Sequence, residues 1–215
     1  MEESNITFRD LGLSEAMLKA LEKKGYGYPT KIQEQAIPHL LAWKDVMAKA
    51  PTGTGKTLAY LLPLLERIDE CRARDVQAMV IVPTRELAKQ VFEVWRSMAT
   101  PYRMAAFYGG RPLEQEIASL SGASPSVIVG TPGRLLDHLG HASFAVDKCT
   151  LLVIDEFDKC LEMLVFVLSY TIIRNDFTKA IHGKDFTDSY AKGIVYCRII
   201  TIIVQAISLF FIVKF

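Results

Sequence analysis

Cysteine is scarce in this chain, and what there is does not pair. The 4 cysteines, Cys71, Cys149, Cys160 and Cys197, stand far apart with no C-x-x-C spacing. That excludes a disulfide framework and a zinc-finger type of site, and reduced thiols in the core of a cytosolic protein are expected. A dominant charge is missing too. With 25 lysines and arginines against 24 aspartates and glutamates, the net charge is +1. Any grip on nucleic acid must therefore come from placed side chains, not from a basic surface. The opening residues, MEESNITF, are acidic and carry no apolar stretch, so no secretory signal is expected. Repeats and low-complexity linkers are absent as well. What remains is 50% apolar and 23% charged residues over 215 positions. That suits the core of one ordinary domain of about 100–200 residues.

Proline and glutamate end at one place. All 9 prolines and all thirteen glutamates lie in residues 1–163, whereas residues 164–215 have neither and hold ten isoleucines. The charge divides likewise, 19 basic and 21 acidic residues before the break, 6 and 3 after it. Residues 1–163 read as one coherent domain, incomplete at its C-terminal end, and residues 164–215 as an anomalous Ile-rich tail. Within the tail, Ile199–Val213 is fifteen residues without a charge. A transmembrane helix needs about 20 apolar residues, and this run is too short or, extended back to Ile194, broken by Arg198. A native core element is a second reading, disfavoured because the β-branched run lacks turn residues. A reading frame disrupted near residue 163 accounts best for the joint loss of glutamate and proline. Membrane association is not expected.

Periodicity organises the first part. Ser14 can cap a helix whose Met17, Leu18 and Leu21 share a face, with Gly25 as its stop. A second helix opens at Thr30. Short apolar runs at 45–50, 78–82, 104–108, 126–130 and 151–154 read as strands. Helical patterns at 56–68, 85–98, 113–120 and 132–139 separate them. Such alternation predicts an α/β fold with a mostly parallel sheet flanked by helices, whose ligands gather at the carboxyl ends of the strands.

The first of those ends carries Ala50-Pro51-Thr52-Gly53-Thr54-Gly55-Lys56-Thr57. Small residues before a helix let backbone N–H groups curl around phosphate oxygens. Lys56 would reach the outer phosphates, Thr57 would ligate Mg²⁺, and Thr52, Gly53, Thr54 and Gly55 would form the cradle. The last strand runs from Leu151 into Asp155-Glu156-Phe157-Asp158. Asp155 would hold the Mg²⁺, and Glu156 would orient and deprotonate the attacking water. ATP and Mg²⁺ are thus the expected cofactors, with Lys56, Asp155 and Glu156 as the catalytic set.

Together with Gly25-Tyr26-Gly27-Tyr28-Pro29-Thr30-Lys31-Ile32-Gln33, Pro83-Thr84-Arg85-Glu86-Leu87-Ala88, Gly109-Gly110 and Thr131-Pro132-Gly133-Arg134, these segments resemble the first RecA-like domain of a DEAD-box RNA helicase over about residues 5–163. The resemblance implies that Gln33, with Lys31 beside it and Phe8 upstream, reads and packs the adenine. Thr30-x-x-Gln33 is equally a capping-box pattern; the two uses are compatible if Thr30 caps while the Gln33 side chain turns outward. Phe8 could instead simply anchor the first helix. By the same resemblance Thr84, Arg85, Gly110, Thr131 and Arg134 contact the backbone of single-stranded or short duplex RNA. Thr131 before Pro132 is also an ordinary helix start, and Gly109-Gly110 also an ordinary turn.

Two departures stand out. Phe157 occupies a position where the family has alanine. Asp158 would couple the acids to a Ser-Ala-Thr segment on the next strand, but residues 159–215 contain no such triplet. Nor do they contain a second RecA-like domain with the arginine that completes the site, a group worth roughly 10³–10⁵ in rate. The expectation is a cytoplasmic, monomeric, truncated helicase that binds nucleotide but hydrolyses and unwinds poorly. The alternative is a non-enzymatic ATP- or RNA-binding module that competes for RNA or partner proteins.

Overall fold

Ser14 starts the first helix as its position predicts: its hydroxyl accepts the Met17 amide at 3.3 Å. Helix α1 (Glu15–Lys23) follows, and the chain leaves it through Gly25 at φ 77°. The computed structural model describes residues 6–120 and 124–160 and the backbone of residues 210–214. After α1 come α2 (Lys31–Leu41), β1 (Val46–Lys49), α3 (Lys56–Arg67), β2 (Ala78–Ile81) and α4 (Arg85–Ser97). Then follow β3 (Met104–Phe107), α5 (Leu113–Leu120), β4 (Val127–Gly130), α6 (Pro132–Gly140) and β5 (Leu151–Ile154). Each matches an expected segment to within about two residues, because each has the apolar period of its type. Two 3-10 turns, Phe8–Leu11 and Glu70–Arg72, carry no such period and leave no signal in the sequence pattern.

The sheet has strand order β1-β6-β5-β2-β4-β3. Strands β5, β2, β4 and β3 pair in parallel, with Ile81 opposite both Gly130 and Ile154. Every residue of β4 is buried, as a sheet covered on both faces requires. Helix α3 packs against α2 and buries Leu58, Leu61, Leu62 and Leu65, each worth about 1.5–3 kcal/mol. Helix α4 brings Ala88, Val91 and Trp95 to the same core, and Trp95 Nε1 donates to the Tyr102 carbonyl at 3.1 Å.

Strand β6 (Phe210–Lys214) lies between β1 and β5 and runs antiparallel to both. It comes from the Ile-rich tail, so five tail residues take a place in the sheet, against the expectation that a run without turn residues supplies no core element. Residues 161–209 and residue 215, which include the rest of that tail and the fifteen-residue run up to Leu209, lie outside the described residues. Among the described residues no helix is long and apolar enough to cross a membrane.

The cysteines divide. Cys160 is buried, but Cys149 is only half-buried and Cys71, on its surface 3-10 turn, is exposed, so the core-thiol expectation fails there. Cys197 lies outside the described residues. Burial, aided by the Asp155, Glu156 and Asp158 charges, pushes the Cys160 thiol up to about 12.

Candidate nucleotide and RNA site

Since β1 and β5 both run against β6, they run with each other, and the carboxyl ends of β1 to β5 share one edge. Hydrogen bonds carry order past the strand ends: Asp155 N donates to the Ile81 carbonyl, Val82 N to Gly130 and Thr131 N to Phe107, each at 3.0 Å. Every expected site segment except the Phe8 turn and the α2 start leaves from this edge.

After β1 the chain turns through Gly53 at φ 83° and Gly55 at φ 86°, values that side-chain-bearing residues rarely adopt. Thr54 Oγ1 donates to the Pro51 carbonyl at 2.7 Å and closes the turn. Thr52 and Gly53 form the exposed rim, while Lys56 is buried and Thr57 half-buried at the start of α3. Gln33 is drawn in from α2. Its Oε1 accepts the Thr30 amide at 2.9 Å and its Nε2 donates to the Gly55 carbonyl at 3.0 Å. The side chain therefore does not turn outward: it closes the capping box and braces the phosphate loop. One N–H and one oxygen lone pair remain on the amide for a ligand. Lys31 is exposed on the first turn of α2. Phe8 is only 4% exposed and belongs to the main core, so the structure shows the anchor and leaves little ring face for a base.

The acids sit opposite. Asp155 is 2% exposed; its Oδ1 accepts the Glu156 amide at 2.9 Å and its Oδ2 accepts the Tyr60 hydroxyl at 3.2 Å. Burial pushes the Asp155 carboxyl up, and the nearby Lys56 charge, the Glu156 amide and the Tyr60 hydroxyl oppose this. A poorly hydrated carboxylate beside one lysine is a place where added positive charge is favourable. Glu156 stands at φ 48°, a strained value for this residue, and Lys159 Nζ donates to its Oε2 at 2.8 Å. Asp158 Oδ1 is buried and has no hydrogen-bond partner among the described residues. Phe157, between these two acids in the sequence, is half-buried.

Along the rest of the edge, Thr84 Oγ1 accepts the Leu87 amide at 3.2 Å and caps α4. Arg85 is exposed and lies against Gly109-Gly110, where a side chain on Gly110 would begin 3.0 Å from Arg85 Nη1. With φ values of 69° and 88°, the two positions favour glycine by conformation, and at Gly110 a side chain would also crowd the tip of Arg85. Thr131 occupies the cap position of α6, but its hydroxyl makes no capping bond, so capping does not account for it. Arg134 turns inward: its Nε donates to Glu116 Oε2 at 2.8 Å and its Nη2 to the Arg111 carbonyl.

Comparison with known proteins agrees with this layout. The family model described as DEAD/DEAH box helicase matches residues 30–184. The chain belongs to the DEAD/DEAH box helicase family. It is similar to the ATP-dependent RNA helicase DeaD of Klebsiella pneumoniae, 45% identical over 166 residues, which are 76% of this chain and 26% of that protein. To the DEAD-box ATP-dependent RNA helicase CshA of Bacillus cereus it is 43% identical over 159 residues, 73% of this chain and 30% of that one. The chain thus spans about a third or less of the length of these relatives. A crystal structure of a DEAD box protein from Methanococcus jannaschii superposes with a TM-score of 0.67 at 35% identity, covering 73% of this chain and 43% of that chain. The fold of this helicase-family chain is therefore the mostly parallel, RecA-like sheet that its alternating pattern predicts.

Three site-lining residues escaped the sequence reading. Tyr60 touches Asp155, and Glu116 joins Arg134 to the fully buried His138, whose Nε2 lies 2.9 Å from Glu116 Oε2. Spacing held the signals: Tyr60 is three residues after Thr57, and His138 four after Arg134, neighbours on their helices.

Proposed function

We propose that this chain is the nucleotide- and RNA-gripping part of an ATP-dependent RNA helicase. One observation carries the reading: the phosphate loop, with Lys56 at its base, and the Asp155–Glu156 pair share one sheet edge, while Gln33 braces the loop. ATP would lie with its phosphates over Thr52–Thr57 and its base toward Gln33 and Lys31. Mg²⁺ fits the residues present. Such an ion takes one or two carboxylates plus phosphates and water, not a cage of protein ligands. The buried Asp155 carboxylate supplies the first, and Thr57 stands at the loop. When bound, the ion would neutralise charge on the phosphates. Lys56 would hold the outer phosphate oxygens, and Glu156 would take a proton from the attacking water.

RNA would run along the same edge over Arg85, Gly110 and Thr131. Its backbone would be gripped without base readout, in keeping with a net charge of +1. Arg134 would act there mainly by holding the Arg111 backbone. Residues 1–215 by themselves would bind nucleotide and turn it over slowly, as a monomer. Asp158 Oδ1, which has no hydrogen-bond partner among the described residues, is the group that the family resemblance expects to couple the acids to a Ser-Ala-Thr segment, and residues 159–215 hold no such triplet. The same observation favours the second reading, a non-enzymatic module that competes for RNA. A cytoplasmic setting suits an RNA substrate and unpaired thiols.

Equilibrium binding of labelled ATP and RNA, followed by RNA-stimulated phosphate release, tests both readings. Turnover abolished by Lys56→Ala and Glu156→Gln establishes the hydrolase. Binding without turnover establishes the module, and no nucleotide binding refutes both.

A further inference from the structure

Tyr60 is a buried hydroxyl with no part in the function described so far. It is 1% exposed, inside α3, yet its hydroxyl donates to Asp155 Oδ2 at 3.2 Å, and the Thr57 side chain lies near enough to act on the same phenol and pull its pKa down. A phenol has one proton to give. With that proton directed at the carboxylate, the phenol oxygen can only accept from the Thr57 hydroxyl, which leaves the Thr57 lone pairs free for a ligand. The helix dictates the arrangement. Tyr60 is one turn beyond Thr57 on the same face, and β5 delivers Asp155 against that face.

We infer that Tyr60 is a positioning residue for the metal site, its hydroxyl linking Thr57 and Asp155 so that both present oxygen lone pairs to one divalent cation. This rests on the Mg²⁺–nucleotide reading above. Phenylalanine would fill the same volume and pack equally well in the core, so the hydroxyl serves the two partners and not the packing. Without it the Thr57 rotor is released, and Asp155 Oδ2 loses a donor in a site with little water.

The test is Tyr60→Phe in the 215-residue chain, with Mg²⁺ titrated against a fixed concentration of fluorescent ATP analogue and the same binding repeated in EDTA. The expected result is a Mg²⁺ midpoint raised about 3–10-fold, the size of one net hydrogen bond, with unchanged affinity in EDTA. A midpoint equal to that of the parent chain overturns the inference, as does equal weakening with and without the metal, which would mark a structural role only. If the parent chain shows no Mg²⁺-dependent binding, the nucleotide reading itself fails and takes this inference with it. Should Tyr60→Phe not fold, a single fluorotyrosine at position 60, which keeps the hydroxyl, replaces it. Its ¹⁹F signal should move when Mg²⁺ is added to the nucleotide complex, and an unmoved signal overturns the proposal.

Discussion

Gly55 has no room for a side chain. At φ 86° its backbone is one that alanine adopts only with strain, and a Cβ there would overlap Gln33 Nε2. The residue is thus held by two requirements at once, the turn of the phosphate loop and the approach of Gln33 to its carbonyl. Gly55→Ala should cost about 1–3 kcal/mol from the backbone alone, lowering Tm by about 2–4 °C per kcal/mol. It should also weaken ATP binding, while Gly133→Ala, where a Cβ meets nothing within 4 Å, should leave both unchanged. Thermal melts and labelled-ATP binding check this. The thiols give a second contrast. Because the Cys160 thiol is pushed up to about 12 from an ordinary 9.0, folding favours its protonated form. That contribution is complete below pH 9 and is lost as pH rises toward 12. Iodoacetamide at pH 8 should therefore modify the exposed Cys71 and spare Cys160, as peptide mass mapping would show. Labelling of Cys160 in the native protein would contradict its burial.

At the scale of elements, α5 and α6 meet through one carboxylate. Glu116 Oε2 takes both Arg134 Nε and His138 Nε2, and His138 is packed on Phe107 with ring centroids 4.0 Å apart. Removing the acid would leave a guanidinium only 12% exposed with just the more distant, exposed Asp137 carboxylate at 3.8 Å. Glu116→Ala should cost about 3 kcal/mol, the lower end of what a broken buried pair costs because this one is not wholly enclosed. Glu116→Gln, which keeps an acceptor, should cost about 1 kcal/mol. If the Arg134–Arg111 brace also shapes the Gly109-Gly110 turn, RNA affinity should fall in Glu116→Ala and recover in Glu116→Gln. Urea unfolding and RNA binding measure the two effects separately.

The whole molecule depends on how β1 joins the sheet. It has no direct pairing to β5; β6 bridges them, with Ala48 opposite Phe211 and Val153 opposite Val213. The phosphate loop leaves β1 and the acids leave β5, so the spacing of the site is set by that strand. Ending the chain after residue 209 should destabilise it by several kcal/mol, at about 1 kcal/mol for each lost ladder bond. Amide exchange in Val46–Lys49 should accelerate. Unchanged exchange would show that β6 does not hold β1, and would favour a tail with no part in the domain.

Five strands, their helices and the phosphate loop were legible in the chain because each is encoded locally, by apolar period or by glycine spacing. The candidate residues Lys56 and Asp155 and the Gly109-Gly110 turn are read that way. Local text could not show that Gln33 points inward, that Phe8 is sealed in the core, that Arg134 is tied to Glu116, or that Tyr60 reaches Asp155, ninety-five residues away. Nor could it show that a β-branched run from a compositionally foreign tail pairs antiparallel between two strands of the domain. The sequence by itself determined the family, the layers and the chemistry available. Only the tertiary structure decided which side chains are committed to one another, because burial and direction are settled when the sheet brings distant segments to one edge.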